Sequence, residues 1–84
     1  MSEFFVYLIV SEKNGSIYTG CTNDLERRLI EHNSGLSPYT KTKCPWSLKW
    51  HSVFPDKEKA YDFERYLKTS SGKAFANKRL ISRK

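Results

Sequence analysis

Five polar side chains of this sequence belong to the types that hydrolyse phosphate esters, namely two tyrosines, an arginine, a histidine and a glutamate. They are Tyr7, Tyr18, Arg28, His32 and Glu64. A phosphate diester repels nucleophiles because it is negatively charged, so its cleavage needs a cation where charge develops, and arginine offers a two-pronged contact to phosphate oxygens. A phenol with its ordinary pKa of about 10 is a poor base at pH 7 unless a cation lies beside it. The five residues therefore suit phosphodiester chemistry only if the fold brings them together.

Helical periodicity predicts the arginine and the histidine at the border of one apolar helix face, and the glutamate inside another. At 100° per residue, Arg28 and His32 project within about 60° of Leu25 in a first helix. Glu64 projects about 40° from Ala60, inside the apolar stripe of a second helix. A carboxylate in that position needs a cationic partner, a metal ion or water. Two interpretations stay open for Glu64, a reactive carboxylate and half of a structural ion pair.

The pattern of apolar and turn-forming residues predicts six elements in the order β-β-α-β-α-α. They are strands over 4–10 and 16–20, a helix over 24–34, a strand over 46–54, and helices over 56–68 and 73–80. Asn14-Gly15 is a hairpin turn signal, so Tyr7 and Tyr18 are expected to share a sheet face, and Arg28 and Glu64 are expected to reach the same face. Strand tyrosines commonly serve only as packing residues with a solvated hydroxyl, which is the alternative for both.

Short-range signals predict where the helices begin and end. Asn23, with Glu26 three residues later, predicts the N-terminus of the first helix, and Leu25, Leu29 and Ile30 form its apolar stripe. Asp56 predicts the N-cap of the second helix. The run from Ser70 to Gly72 is expected to break the chain before the third helix. Gly20 is expected to let the backbone turn tightly into the first helix.

Composition indicates one small basic domain over residues 1–84. Fifteen Lys and Arg against nine Asp and Glu give a net charge of +6 and a pI of about 9.5. That charge favours a polyanionic partner, with nucleic acid the commonest and an anionic membrane surface the alternative.

The two cysteines support neither a disulfide framework nor a structural zinc site, so a cytoplasmic location is expected. The apolar opening lacks the flanks of a signal peptide, and no segment is long enough to span a membrane.

The order of the polar residues resembles the GIY-YIG nuclease superfamily over nearly the whole chain. The matching segments are Val6-Tyr7-Leu8, Tyr18-Thr19-Gly20, Asp24-Leu25-x-x-Arg28-Leu29-x-x-His32-Asn33, and the later helical Glu64. The chain looks most like small stand-alone members, related to the catalytic domain of the excision-repair incision subunit. Phe5 and Val6 replace the glycine and isoleucine of the first signature, and Thr19 replaces the isoleucine of the second. Both tyrosines and the final glycine are kept.

The resemblance implies an α+β fold, a small three-stranded antiparallel sheet flanked by helices, and a metal-dependent endonuclease that hydrolyses DNA in repair or recombination. Tyr7 would be the general base, relaying a proton, while Tyr18 and His32 assist. Arg28 would hold the scissile phosphate. Glu64 would be the ligand of one divalent cation, Mg²⁺ or Mn²⁺, for which a single carboxylate with waters and phosphate is a usual arrangement.

Basic and aromatic side chains outside the five suggest a surface that follows the DNA backbone. They lie in the loop over 35–45, in the two longer helices and in the basic tail over 73–84. The candidates are Arg27, Tyr39, Lys41, Lys43, Arg65 and Lys73. Such charges can also be an ordinary solvated surface. The competing functional interpretation is a catalytically weak or inactive nucleic-acid-binding module that acts with a targeting protein partner, and a weaker one is an adaptor that contacts only protein.

Overall fold

A computed structural model describes residues 3–81 of the chain. Its elements follow the predicted order β-β-α-β-α-α. Their bounds are β1 Phe4–Ser11, β2 Ile17–Thr22, α1 Leu25–Asn33, β3 Trp46–Phe54, α2 Lys57–Leu67 and α3 Ser70–Phe75. A 3₁₀ turn, Lys41–Lys43, lies in the loop before β3, and α3 continues as a π-helical turn, Ala76–Leu80. No helix within the described range is long and apolar enough to cross a membrane.

The three strands form one antiparallel sheet in the order β2-β1-β3, which confirms the predicted fold class. The β1–β2 register places Tyr7 opposite Gly20 and Ile9 opposite Tyr18. Because successive side chains of a strand point to opposite faces, Tyr7, Ile9 and Tyr18 share one face and Leu8 lies on the other. The hairpin therefore brings both tyrosines to one face, as the sequence predicted.

The helices divide between the two faces of the sheet. One face, here the α2–α3 face, packs against α2 and α3, and its buried residues are Val6, Leu8, Ala60, Leu67, Ala76 and Ile81. The other, here the α1 face, is covered by α1 and by the loop before β3. Its buried hydrophobic residues are Tyr7, Ile9 and Trp46, with Leu25 and Leu29 packed against them. Burial of apolar surface on both sides is the main stabilising contribution of the sheet.

The start and the apolar face of α1 differ from the prediction. Asp24 caps the helix in place of Asn23, because the Asp24 carboxylate accepts a hydrogen bond from the backbone N–H of Arg27 at 3.1 Å. A carboxylate there also interacts favourably with the helix dipole. Ile30 was wrongly placed in the apolar stripe: it lies 100° around the helix from the preceding leucine and is 60% exposed. The side chain that α1 buries completely is His32.

The boundary between α2 and α3 also differs from the prediction. Asp56 caps α2 as expected, but Ser70–Gly72 forms the first turn of α3 instead of breaking the chain. Thr69 caps this turn, because its hydroxyl accepts a hydrogen bond from the backbone N–H of Gly72 at 3.0 Å. A Cβ atom on Gly72 would lie 1.8 Å from the Tyr66 carbonyl oxygen. Glycine is required there because α3 begins directly against the end of α2.

Candidate active site

A chain of hydrogen bonds joins three buried side chains inside the α1 face. The Tyr7 hydroxyl lies 2.9 Å from His32 Nε2, and His32 Nδ1 lies 2.8 Å from the Thr40 hydroxyl. Tyr7 is 1% exposed, and His32 and Thr40 are fully buried. Trp46 holds Thr40 in place, since its indole N–H donates to the Thr40 carbonyl at 3.1 Å. Both ring nitrogens of His32 are thus engaged, which sets the orientation of the imidazole.

Burial sets the protonation states of the tyrosine and the histidine. It raises the pKa of Tyr7 to about 12, although a hydrogen bond with Arg28 opposes the rise. Burial, together with the positive charge of Arg28, lowers the pKa of His32 to about 4. At pH 7 the phenol is therefore protonated and the imidazole is neutral. The pair is a hydroxyl donor next to a ring nitrogen that can accept its proton.

Gly20 creates the space through which the Tyr7 side chain crosses β2. A Cβ atom on Gly20 would lie 2.3 Å from the Tyr7 hydroxyl oxygen and 2.4 Å from the ring carbon that carries it. Gly20 lies within β2, and its backbone φ is not positive. The sequence interpretation of Gly20 as a turn residue was therefore wrong, because the position needs a small side chain and no special backbone conformation.

Arg28 joins the phenol from the exposed side of α1. Its guanidinium Nη1 lies 2.6 Å from a carboxylate oxygen of Glu31, and 28% of the Arg28 side chain is exposed. Burial alone would lower the pKa of Arg28, but hydrogen bonds with Glu31 and Tyr7 raise it overall. Arg28 therefore remains a cation, partly open to solvent, next to the hydroxyl of Tyr7.

Tyr18 links the buried chain of hydrogen bonds to the surface. Its ring centroid lies 5.0 Å from that of His32, 6.4 Å from that of Tyr7 and 5.6 Å from that of Tyr39. Tyr39 is 66% exposed, and the Lys43 ammonium lies 5.0 Å from its ring centroid. The aromatic side chains therefore continue from the core to an exposed tyrosine that carries a cation.

Glu64 approaches this site from the other side of the sheet, because α2 packs on the α2–α3 face. The expectation that it shares a sheet face with the tyrosines was therefore wrong. Its side chain is 14% exposed and pairs with Lys68 at 3.0 Å. Its charge adds to the burial that raises the pKa of the Tyr7 phenol and of the Cys21 thiol. The carboxylate therefore lies within electrostatic reach of β1 and β2 near the phenol.

The surroundings of Glu64 suit a metal ion that takes most of its ligands from water and from the substrate instead of from the protein. Among residues 3–81 no group of three or more His, Cys, Asp or Glu side chains could hold an ion. A single carboxylate oxygen ligand, completed by waters and phosphate oxygens, is an arrangement that Mg²⁺ accepts. Glu64 would have to release Lys68 to act in this way.

Three of the six predicted nucleic-acid contacts lie near the exposed end of the aromatic cluster, which consists of Tyr7, Tyr18, His32 and Tyr39. The Lys43 ammonium lies over the Tyr39 ring, and Tyr39 and Lys73 both line a groove along β2. Lys41 is exposed on the adjoining 3₁₀ turn. The last three residues of the predicted basic tail, 82–84, lie outside the described residues.

The two predicted arginine contacts are already engaged with carboxylates of their own helices. Arg27 lies 3.7 Å from Asp24 and 4.0 Å from Glu31, and Arg65 pairs with Asp62. These exposed pairs contribute little to stability, but they reduce the positive charge available to a phosphate backbone. The groove along β2 is thus the stronger candidate for nucleic-acid contact.

Sequence reasoning missed two residues of the site. Glu31 follows Arg28 by three positions, and this i,i+3 spacing on a helix was a visible signal for an ion pair. Thr40 lies in a loop without periodicity, and only the fold brings it to His32. No local pattern could have identified Thr40.

Comparison with known proteins matches the sequence of this chain to one family. The GIY-YIG catalytic domain matches residues 3–79. A UPF0213 protein of Staphylococcus saprophyticus is 40% identical over 72 residues, covering 84% of this chain and 87% of its own length. One from Bacillus pumilus is 39% identical, and the match covers 75% of this chain and 65% of that protein.

A solved structure shows the same fold. The solution NMR structure of the UPF0213 protein from Bacillus halodurans superposes with a TM-score of 0.53 at 36% identity, covering 86% of this chain and 79% of that one. The GIY-YIG domain is a nuclease domain, so the match implies nuclease-type activity. Sequence and fold agree, and the chain belongs to the GIY-YIG family.

Proposed function

We propose that this protein is a metal-dependent endonuclease that hydrolyses phosphodiester bonds in DNA. The observation that carries the proposal is the 2.9 Å hydrogen bond between the Tyr7 hydroxyl and the neutral His32 imidazole, with the charge of the Arg28 guanidinium acting on the same phenol. The imidazole can receive a proton and the guanidinium can bind the charged phosphate, both next to the same hydroxyl. A role in DNA repair or recombination rests on the family resemblance alone.

Tyr7 and His32 act as a proton relay in this proposal. A phenol with a pKa of about 12 is not deprotonated at pH 7, so Tyr7 cannot wait as a ready base. When water attacks the phosphorus and the bond from phosphorus to the leaving oxygen breaks, a proton of the water passes to the Tyr7 oxygen as the phenol proton passes to His32 Nε2. This transfer requires the neutral imidazole to carry its proton on Nδ1, from which it can donate to the Thr40 hydroxyl. Tyr7 is left neutral, and the positive charge resides on the imidazolium.

Arg28 supplies the fixed cation at the phosphate. Its side chain is partly exposed, so a phosphate oxygen can reach the guanidinium without entering the core. Binding of the phosphate would compete with Glu31, which holds the same guanidinium at 2.6 Å. The arginine is therefore oriented before the substrate arrives, and Glu31 is a positioning residue.

Glu64 would hold a divalent cation, Mg²⁺ or Mn²⁺, in exchange for its ion pair with Lys68. When bound, such an ion stabilises negative charge on the leaving oxygen. The carboxylate fits because it is largely buried, and it is the side chain of α2 whose charge reaches the Tyr7 phenol.

The test is cleavage of a panel of end-labelled DNA structures and of supercoiled plasmid, with Mg²⁺, with Mn²⁺ and with a chelator. We expect cleavage only with the metal, and we expect Glu64→Gln to abolish it. The ion pair lost is of the i,i+4 type, which contributes about 0.3–0.5 kcal/mol, so folding should be unaffected. Glu58→Gln, in the exposed first turn of α2, is the matched control. Cleavage at the parental rate by Glu64→Gln would refute the assignment.

A second candidate is a binding module of the same fold that acts with a partner. The observation in its favour is that Glu64 and Arg28 already have opposite charges as partners, Lys68 and Glu31. It expects DNA binding without cleavage under every metal condition. It also expects Glu64→Ala to change stability and not DNA binding, so the same panel, with binding measured alongside cleavage, separates the two candidates.

A further inference from the structure

An open groove runs along the outer edge of β2, between the aromatic cluster and the helices of the α2–α3 face. Its volume is about 390 Å³. The residues that line it are Ile17, Tyr18, Thr19, Tyr39, Lys68 and Lys73. The groove joins both halves of the candidate site, because Tyr18 contacts the His32 ring and Lys68 pairs with Glu64. A ligand in the groove would therefore lie next to the residues proposed to cut the phosphodiester.

Tyr39 forms one side of the groove in a manner that suits stacking. Two-thirds of it is exposed, yet its ring is held 5.6 Å from the Tyr18 ring. Its position does not serve the hydrophobic core, since the buried residues of the α1 face are covered without it. An exposed aromatic ring held in place offers a face on which a base can stack, and every base has such a face.

The charges around Tyr39 are of the sign that phosphates require. The Lys43 ammonium lies over the Tyr39 ring, 5.0 Å from its centroid, and Lys73 lines the groove together with Tyr39. Within the described part of the chain, neither lysine has a carboxylate within ion-pair distance, unlike Arg27 and Arg65. These two ammonium groups are therefore free to contact phosphate oxygens, and the flexible Lys43 side chain can leave the ring face to a base.

A second tyrosine and lysine pair of the molecule lacks this environment. Tyr61 on α2 has the Lys57 ammonium 5.8 Å from its ring centroid. It lies in a groove that Asp56, Glu58 and Asp62 also line. Three carboxylates there oppose a phosphate backbone. The Tyr61 surface therefore provides a comparison with a similar aromatic pair and unfavourable charge.

We propose that the groove binds an unpaired nucleotide of the DNA, with its base stacked on Tyr39 and the flanking phosphates on Lys43 and Lys73. The inference deepens the proposed function, on which it rests for the phosphate that is cut. A base inside a duplex is already stacked between its neighbours and does not reach the groove without leaving the helix. The substrate class is therefore DNA with an unpaired nucleotide beside the scissile phosphate, in preference to blunt duplex.

The test measures binding in a chelator, so it does not depend on cleavage. Two duplexes carry the fluorescent base 2-aminopurine, one as a single bulged nucleotide and one fully paired, and each is titrated with the protein. Stacking on Tyr39 should quench the bulged base. Tyr39→Leu should weaken binding of the bulged duplex about 5- to 150-fold, the equivalent of about 1–3 kcal/mol per stacked base. Affinity for the paired duplex should change less than twofold.

Three further variants complete the design. Tyr39→Phe keeps the ring and should retain both affinity and quenching, which separates stacking from a hydroxyl contact. Tyr61→Leu is the matched control and should behave as the parent. Lys73→Glu should weaken binding of both duplexes, because it acts on phosphates. Circular dichroism of each variant checks that the fold is kept.

The outcomes separate this inference from the proposed function. Equal affinity of the parent and Tyr39→Leu for the bulged duplex would overturn the stacking site, even if both cleave it with Mg²⁺. An equal loss on both duplexes would overturn it too. Tyr39-dependent quenching without cleavage in any metal supports the stacking site and refutes the nuclease proposal.

Discussion

Both faces of the sheet include side chains of the central strand β1, but one face buries an apolar cluster and the other buries a network of polar groups. On the α2–α3 face, Leu8 and Leu67 are each 1% exposed and belong to a cluster of apolar side chains. On the α1 face, the neighbouring residue Tyr7 is equally buried, but its partners are His32 and, through it, Thr40. A one-residue step along β1 therefore passes from an apolar core to a buried polar network.

This difference shows how a small domain accommodates reactive groups without losing its core. In the part of the chain that the structure describes, no buried side-chain nitrogen or oxygen lacks a hydrogen-bond partner. Burial of a polar group costs free energy unless it is hydrogen-bonded, so the network on the α1 face is tolerated because it is complete. The α2–α3 face supplies stability by apolar burial alone. Mutations on the two faces should therefore have different consequences.

The largest expected effect is on the rate of cleavage, from Tyr7→Phe on the α1 face. This change keeps the ring and removes the hydroxyl, so the relay to His32 is lost. We expect the single-turnover rate per folded molecule to fall by about 10² to 10⁴, the usual contribution of general acid–base catalysis. DNA affinity should barely change. Cleavage at the parental rate would show Tyr7 to be a packing residue, and Tyr18 and His32 would be the next candidates for the base.

The second effect is on stability, from Leu67→Ala on the α2–α3 face. Leu67 is almost fully buried, so the change leaves a cavity and should lower the free energy of unfolding by about 2–5 kcal/mol. Urea titration measures this loss. The cleavage rate, corrected for the folded fraction, should equal that of the parent. A rate loss beyond the folded fraction would mean that the two faces are coupled.

The third effect is a dependence of stability on pH that originates on the α1 face. Folding lowers the pKa of His32 to about 4, so the unfolded chain takes up a proton first as the pH falls. The contribution of His32 to stability is therefore fully present above about pH 6.5 and is lost as the pH falls through about 4. The loss should reach about 3 kcal/mol, as measured by urea unfolding at a series of pH values.

Variants of the two histidines make the pH experiment specific. His32→Gln should remove most of the loss between about pH 6.5 and 4. His51, which is exposed and lies against the ring of Phe5, provides the control. His51→Gln should keep the parental pH dependence. If both variants retain it, the titrating group lies elsewhere.

The smallest expected effect comes from Thr40, the outer member of the network. Thr40→Val preserves the shape but leaves His32 Nδ1 without its partner, which should cost about 1–3 kcal/mol of stability. It should also shift the low-pH limb of the cleavage rate, because the orientation of the imidazole is no longer set. Thr40→Ser restores the hydroxyl and should recover the pH profile. Failure of Thr40→Ser to recover it would assign Thr40 a packing role alone.

Much of the site was visible in the sequence because residue type and spacing encode it. The hairpin signal predicted that Tyr7 and Tyr18 share a face, and helical periodicity predicted His32 and Arg28 at the edge of the core; the structure agrees on both points. The position of Glu64 on its helix was also correct. Its place relative to the tyrosines was not, because periodicity describes one helix and does not say which face of the sheet that helix covers.

Features of the fold that depend on neighbouring residues could be predicted from the sequence, but features that depend on contact between two elements could not. The element order and the Asp56 cap depend on a few neighbouring residues, and the structure confirms them. The start of α3 depends on contact between its backbone and the end of α2, and a Ser-Ser-Gly run also fits a loop. Ile30 was misplaced because the width of the buried stripe of α1 depends on how much of it the sheet covers.

The sequence by itself determined which chemical groups this protein has and roughly how they are spaced along the strands and helices, since periodicity and capping are local properties of the chain. Only the tertiary structure decided which groups meet. Thr40 contacts His32 because a loop without periodicity folds over α1. Gly20 allows Tyr7 to cross β2, a requirement set by a residue on another strand. Such contacts depend on the packing of distant segments, which no short stretch of sequence specifies.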